Sequence, residues 1–213
     1  MKLKQLSILS VAAMMLASCA SEQKEEKTEE VAEAAVEQAA TTFNANTETS
    51  KVYWLGDVIG AYQHEGFVNL NSGTLTVENG AITAGTFEVD MTHIYPTDTA
   101  SYKPEDSDEK GKMSDLVGHL STGDFFNTAE FPTATFEITT VEGSVIKGNL
   151  TVRGKTHEET LNLESFEVTD GNITAKGKLV FDRQKYDVAW VHYMKDMVLS
   201  DDIALNIELF ASE

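Results

Sequence analysis

Apolar and polar residues alternate along most of the chain from Lys51 to its end. The clearest run is 201–210, where every second residue from Ile203 to Leu209 is apolar. A period of two is typical of a β-strand with one buried face. Breaks that carry Gly, Asn or Asp separate the other runs, which are 51–58, 62–70, 73–79, 81–91, 133–140, 144–153, 157–168 and 172–182. The pattern predicts an all-β domain of about eight antiparallel strands.

Two of these runs change phase within their length. In 81–91 the apolar phase shifts across Gly85 and Thr86, and in 157–168 it shifts across Ser165. Such a slip indicates a β-bulge, which bends and coils a sheet. Bulged antiparallel strands without a strong helix pattern favour a closed barrel or a sandwich. An eight-stranded barrel is either filled by side chains or holds one small ligand, and the pattern leaves both possibilities open.

The alternation stops between Met91 and Leu120, in a polar and acidic stretch that carries two of the three prolines. A loop this long within a compact domain is usually functional or disordered. Residues 119–138 come next and hold four of the ten Phe residues, which either close an ordinary core or line the way into an apolar cavity. We expect a turn and a short helical piece here, at the barrel mouth, with the loop 92–118 covering it.

The N-terminus has the features of a bacterial export signal. Residues 1–4 form a short basic segment with Lys2 and Lys4, and the apolar run 6–17 is too short to span a bilayer. The sequence LASC, which ends at the single cysteine, Cys19, resembles the lipobox of lipoproteins. We therefore predict a signal peptide over 1–18 and lipidation of Cys19, which would anchor the protein to a membrane of the cell envelope, facing the periplasm. The alternative is that Cys19 lies incidentally near an ordinary cleavage site.

The segment from Cys19 to residue 50 predicts a flexible acidic stalk ahead of a domain that spans 51–213. Residues 20–50 contain eight Glu and almost no large apolar residue, so they cannot bury enough surface to offset the entropy of ordering. The chain carries a net charge of −19, which argues against nucleic-acid binding and against docking on anionic head groups.

Motifs for catalysis or metal binding are missing from the sequence. The five histidines have no pair at metal-ligand spacing, there is no G-x-S-x-G motif, and the one cysteine is assigned to lipidation. We therefore predict no catalytic residue, no metal site and no cofactor. Arg183, in the block FDRQKY, could clamp an anionic head group or pair locally with Asp182 or Asp187.

Residues 51–213 resemble the YceI-like family of bacterial lipid-binding proteins. The resemblance rests on blocks that occur in the family's order, namely VYWLGD, HEGFVNL, GTFEVDMTHI, LVGHLSTGDFFNTAEFPTATFEI, IKGNLTVRGKTHEETL and FDRQKYDV. Two departures occur: the family's frequent Arg-Asp before His-Leu is Val117–Gly118 here, and the Gly after the late Tyr is Asp187. Both fall at the position expected for a ligand head group.

The resemblance implies an extended, lipocalin-like antiparallel barrel whose tunnel binds an isoprenoid, a quinone-like lipid or another long-chain amphiphile. It also implies a carrier or scavenger and not an enzyme. The aromatic residues expected at the tunnel and its mouth are Phe67, Phe87, Phe125, Phe126, Phe136, Phe166 and Phe181. The residues expected to make polar contacts are His64, His119, Arg183 and Tyr186. Two alternatives stay open: a filled barrel with an unknown protein partner, and an enzyme that acts on an isoprenoid.

Overall fold

The alternating segments form strands in the computed structural model, which describes residues 39–191 and 197–213. Residues 1–18, Cys19, most of the predicted stalk and His192 lie outside this range. The described strands are β1 (Thr41–Ala45), β2 (Lys51–Val58), β3 (Tyr62–Glu78), β4 (Ala81–Pro96), β5 (Thr133–Glu142), β6 (Val145–Val152), β7 (Lys155–Thr169), β8 (Asn172–Asp182) and β9 (Leu199–Ser212). Among the described residues, one α-helix, α1 (Met113–Ser121), and two 3-10 turns, Thr99–Ser101 and Arg183–Tyr186, lie between these strands. None of the described helices is long and apolar enough to cross a bilayer.

The strands close into an antiparallel barrel. Neighbours follow the order β2, β9, β8, β7, β6, β5, β4 and β3, and β3 returns to pair with β2. β1 pairs with the lower part of β3 and with the end of β9, on the same edges that β2 uses higher up. β1 and β2 therefore act as one interrupted strand, and the predicted eight-stranded barrel is confirmed.

Three hairpins turn at one end of the barrel, at residues 79–80, 143–144 and 170–171, and we call this the lower end. Asn79 and Gly80 have φ of 51° and 78°, and Asp170 and Gly171 have φ of 51° and 71°. Two successive positive φ values give a turn whose twist matches that of the flanking strands. The opposite, upper end carries residues 59–61, 153–154 and the long loop 97–132.

Bulges lie close to the positions where the apolar pattern slips. Between β7 and β8 the register shifts from Leu163 to Ser165, as the phase change at Ser165 predicts. Between β3 and β4, Val77 pairs with Ile82 but Thr76 pairs with Ala84, so the extra residue is Thr83. That bulge was expected at Gly85–Thr86 and lies earlier in the strand.

The barrel begins before Lys51, within the range predicted as stalk. Phe43 of β1 is 3% exposed and packs in the lower core. The buried Ser50 hydroxyl donates to the Phe210 carbonyl at 3.1 Å and accepts from the Phe210 amide at 3.0 Å, which fixes the break between β1 and β2. The predicted boundary is corrected, because backbone pairing and one buried Phe order a segment whose average composition is that of a disordered tail.

The interior has two halves. The lower half is filled by side chains that include Phe43, Leu75 and Ile173. Phe136 packs against both the lower and the upper cluster. Its ring lies over Gly148, where an added Cβ would stand 2.4 Å from Cζ of Phe136, so only glycine admits the ring. Phe136 thereby forms a floor above the filled half.

Helix α1 lies at the upper end, between β4 and β5. The sequence predicts a short helical piece near the mouth within 119–138, but most of the helix precedes that range. Asp115 starts the helix by accepting hydrogen bonds from the amides of Gly111 and Lys112, at 2.9 and 3.0 Å. The loop expected over 92–118 is therefore partly helical.

Candidate functional site

A cavity of about 970 Å³ fills the upper half of the barrel above Phe136. Most of its wall is aliphatic or aromatic, and strands β2 to β6, β8 and β9 contribute residues to it. The lining side chains are Val52, Trp54, Val58, Tyr62, His64, Val68, Val89, Met91, Ile94, Ser101, Tyr102, Lys110, Lys112, Asp115, Leu116, His119, Leu120, Phe125, Phe126, Ala134, Leu150, Val152, Phe181, Arg183, Trp190, Leu199, Ser200, Ile203 and Leu205. A wall of this kind suits an apolar ligand.

The structure divides the residues that the sequence singles out. Six of them line the cavity, namely His64, His119, Phe125, Phe126, Phe181 and Arg183. The other five, Phe67, Phe87, Phe136, Phe166 and Tyr186, lie elsewhere, and each has a physical reason for its position.

Phe67 lies on the outer face of the barrel. Its neighbours Gly66 and Val68 are buried, so the alternation of β3 turns Phe67 outward. The Phe67 ring stacks on Tyr95 at a centroid distance of 4.9 Å, and the Lys51 ammonium stands 5.8 Å from its centroid. The expectation that Phe67 lines the tunnel is therefore wrong.

Phe87 and Phe166 belong to the filled lower half. Both pack against the cluster that contains Leu75, Ile146 and Ile173. The space left there is only about 50 Å³. The prediction that the barrel aromatics line the tunnel is thus corrected for these two, which form ordinary core, and for Phe136, which forms the floor. Alternation shows which face is inward but not the height at which a filled interior becomes hollow.

Arg183 is 3% exposed and has a structural role. Its five N–H groups donate to the carbonyls of Val188, Trp190, Leu199 and Ser200 and to the carboxylate of Asp201, at 2.5–3.4 Å. Burial lowers the pKa of Arg183, while the charge of Asp201 acts in the opposite direction. Every donor is used, so the expected clamp on a ligand head group is replaced by a clamp on the chain between β8 and β9. The ion pair forms with Asp201 and not with Asp182 or Asp187.

Tyr186 is fully buried behind the cavity wall. Its hydroxyl donates to Glu159 at 3.1 Å, and its ring meets Phe181 edge to face at 5.2 Å. Burial raises the pKa of Tyr186, and the Glu159 charge raises it further. Tyr186 thus supports Phe181 and does not reach the cavity.

A polar cluster stands at the mouth. His64 Nδ1 lies 2.8 Å from one oxygen of Asp98, and the Tyr102 hydroxyl donates to the other oxygen at 2.7 Å. Burial alone would raise the pKa of Asp98, but the hydrogen bonds from Tyr102 and His64 outweigh it and the pKa is lowered. The cluster ties the loop after β4 to the start of β3.

Aromatic side chains close the helical side of the cavity. The His119 ring on α1 meets Phe125 and Trp190 edge to face, at centroid distances of 5.2 and 4.9 Å. Phe125 and Trp190 are 5.8 Å apart. The expectation that the Phe-rich stretch borders a cavity therefore agrees with the position of Phe125 and Phe126.

Three further aromatic residues, Trp54, Tyr102 and Trp190, line the cavity but are not among the site residues predicted from the sequence. Trp54 could have been read from its position, because it lies two residues after Val52 in β2 and the period of two turns both side chains inward. Tyr102 and Trp190 lie outside the regular strands, where no periodicity reports their direction. Within the described residues, no group of three or more His, Cys, Asp or Glu side chains could hold a metal ion.

The fold and its cavity define a hollow antiparallel barrel of the lipocalin-like class. The sequence model of the YceI-like domain matches residues 43–211, and the chain therefore belongs to the YceI-like family. The resemblance read from the sequence blocks is confirmed.

Similar proteins agree with this assignment. The UPF0312 protein SA2479 of Staphylococcus aureus strain N315 is 41% identical over 66 residues, which are 31% of this chain and 37% of that protein. The crystal structure of Burkholderia cenocepacia BcnA matches with a TM-score of 0.60 at 15% identity, over 79% of this chain and 99% of BcnA. A polyisoprenoid binding domain from Saccharophagus degradans, implicated in plant cell wall breakdown, matches with a TM-score of 0.54 at 10% identity, over 80% and 97% of the two chains. At these identities the two structures show the shared fold.

Proposed function

We propose that the protein is a carrier that reversibly binds a long-chain amphiphilic lipid, with an isoprenoid chain as the first candidate. The observation that carries this proposal is the apolar cavity of about 970 Å³ above a filled lower half. A barrel that served only as a structural module would have no reason to leave this volume open, because unfilled apolar space reduces stability.

The size of the cavity suits a chain lipid. At roughly 30 Å³ for each non-hydrogen atom, the share of one water in the liquid, the space holds on the order of 30 atoms. That number corresponds to about six isoprene units. Each CH₂ group taken out of water contributes roughly 0.8 kcal/mol, so burial of the chain supplies most of the affinity.

The Saccharophagus degradans neighbour supports an isoprenoid as the ligand, since that protein is described as a polyisoprenoid binding domain. We extend the chemistry to this chain because the two share a fold and because the cavity wall here is largely aliphatic and aromatic. Binding and release, and not catalysis, is the activity we assign.

We further propose that the protein works at the bacterial cell envelope, facing the periplasm. The support is the sequence at its start, where an apolar run leads to Cys19 in the setting LASC. A lipid attached at Cys19 would hold the carrier beside the membrane from which its ligand comes. Residues 20–40 would then connect the anchor to the barrel.

Mass spectrometry of organic extracts tests the proposal. The full chain is produced in a bacterial host and purified, and its extract is compared with that of an equal amount of an unrelated lipoprotein. The expected result is a long-chain lipid in near-stoichiometric amount, with isoprenoid lipids taken up again after removal. An empty extract together with no uptake of added isoprenoids would overturn the carrier function and favour a protein partner.

A further inference from the structure

The hairpin tip between β2 and β3 is apolar. It reads Ile59-Gly60-Ala61, and Ile59 is 57% exposed. Only Gly60 of the three has a positive φ, so the turn itself does not require apolar residues beside it. Other hairpin tips of the barrel are polar, namely Asn79-Gly80, Gly143-Ser144, Arg153-Gly154 and Asp170-Gly171. The apolar tip therefore calls for an explanation other than turn geometry.

Two further exposed apolar side chains adjoin this tip. The amide of Ile59 donates to the carbonyl of Val198 at 2.9 Å, and Val198 is 58% exposed. Tyr62 follows the tip at the start of β3 and is also exposed. We call Ile59, Tyr62 and Val198 the apolar rim. Single exposed apolar residues are common on soluble proteins, whereas several on one surface mark an interaction site.

The apolar rim borders the opening of the cavity at the upper end. Tyr62 belongs to both, since its side chain also lines the cavity. Val58, next to Ile59, and Leu199, next to Val198, line the cavity as well. The exposed apolar surface is therefore continuous with the apolar wall. A long-chain lipid can follow this surface into the barrel without full exposure to water, provided that the rim touches the source of the lipid.

The charges at the upper end narrow the kind of surface that fits the rim. Asp57 and Asp202 flank it along the chain, and the loop 97–118 carries six acidic residues against three lysines. This net negative charge opposes approach to anionic head groups. A bilayer with little net charge presents no such repulsion, and it is also the source of the proposed ligand. Apolar side chains beside a tyrosine ring suit the boundary between head groups and acyl chains.

We infer that the apolar rim docks on a lipid bilayer of low net charge, so that the cavity opens into the membrane while a lipid enters or leaves. The inference rests on the proposed function and adds the route by which the ligand is exchanged. Attachment at Cys19 would hold the protein near a membrane. The rim determines which end of the barrel faces the lipid.

Environment-sensitive fluorescence at single positions tests the docking. The full chain carries Cys19→Ser, which removes its one cysteine, together with Ile59→Cys, Val198→Cys or Val168→Cys, and each protein is labelled with nitrobenzoxadiazole. Val168 is the matched control, because it is an exposed valine at the lower end, beside the turn 170–171. The readout is local to the labelled side chain, so it is independent of any contact that the N-terminal residues make with the vesicles.

Phosphatidylcholine vesicles should shift the emission of the labels at residues 59 and 198 to the blue, and doxyl-labelled lipids should quench it. The label at residue 168 should show neither change. Added phosphatidylglycerol should reduce both effects, because the acidic groups near the rim repel anionic head groups. Labels at 59 and 198 that behave like the label at 168 would overturn the docking. A blue shift that appears without vesicles and grows with protein concentration would also overturn it, since the rim would then be covered by a second copy of the chain.

Uptake of squalene tests the consequence for the carrier. Ile59→Gln combined with Val198→Gln should slow uptake from phosphatidylcholine vesicles roughly ten- to a hundredfold, because two apolar side chains no longer enter the bilayer. Uptake from an ethanol dispersion should be unchanged, since neither side chain lines the cavity, and Val168→Gln should change neither rate. If the parent and the double variant take up squalene equally fast from vesicles, the docking is overturned while the carrier function stands. If the parent takes up squalene from neither source, it is the proposed function that fails.

Discussion

A substitution that places a larger side chain in the cavity distinguishes a hollow barrel from a filled one. Ala134 on β5 is 7% exposed and lines the cavity, so Ala134→Phe places a ring in the empty space. Burying a Phe side chain is worth about 1.5–3 kcal/mol relative to leaving it exposed. Because the cavity has room for the ring, we expect lipid-free Ala134→Phe to be more stable than the lipid-free parent by about 1–2 kcal/mol.

Ala175→Phe is the matched control for this change. Ala175 on β8 is 6% exposed but lies in the lower half, where the remaining space is only about 50 Å³. Overpacking a filled core costs typically 1–3 kcal/mol, so this variant should lose stability. The gain in strand propensity from Ala to Phe is similar at the two sites and cancels in the comparison.

Urea denaturation of the delipidated proteins, followed by circular dichroism, measures both changes. For Ala134→Phe the midpoint should rise by roughly 0.5–1 M, and for Ala175→Phe it should fall. The same Ala134→Phe protein should lose most of its capacity for isoprenoid, whereas folded Ala175→Phe should keep it. Equal destabilisation by the two substitutions would refute the reasoning, since it would mean that the upper half is packed as tightly as the lower.

Three further changes test the elements that shape the cavity. Arg183→Lys should lower the free energy of unfolding by about 2–4 kcal/mol in urea melts, because lysine has three donors where arginine uses five. Arg153, the other arginine, is only partly buried and donates to two backbone carbonyls, so Arg153→Lys should cost less than Arg183→Lys. Gly148→Ala should cost about 1–3 kcal/mol in thermal melts, because its Cβ would stand 2.4 Å from Phe136. Gly118→Ala on α1 is the comparison, because its Cβ would meet nothing within 4 Å, and this variant should be more stable than the parent by about 1 kcal/mol. A Gly148→Ala protein as stable as the parent would contradict the role of Phe136 as a floor. The lowered pKa of Asp98 means that this group contributes stability above its unfolded pKa of about 3.9 and loses it as the pH falls through the folded value. The difference in urea midpoint between the parent and Asp98→Asn should therefore be smaller below about pH 4 than at neutral pH. A difference that is the same at both pH values would show that the charge of Asp98 does not stabilise the fold.

Strand direction and fold class follow from local pattern, and the sequence predicts them well. The slip at Ser165 marks a true bulge, and the blocks from VYWLGD to FDRQKYDV identify the family. The start of the barrel was missed because β1 is short and only Phe43 of its residues is buried.

The residues that line the cavity are harder to predict than the fold, because an inward side chain lines the cavity only if it lies in the upper half of the barrel. Phe87 and Phe181 both face inward, yet one fills the lower core and the other lines the cavity. Arg183 looks from the sequence like a free cation, and only the folded chain brings four carbonyl groups and Asp201 around it.

A crystal structure of the protein as purified, with no ligand added, tests the central claim most directly. We predict continuous, elongated electron density in the upper half of the barrel, ending above the ring of Phe136, that fits an apolar chain. The Ala134→Phe protein should show the phenylalanine ring in its place. A cavity that contains only ordered water, or one closed by inward collapse of Phe125, Phe126 and Trp190, would contradict the account.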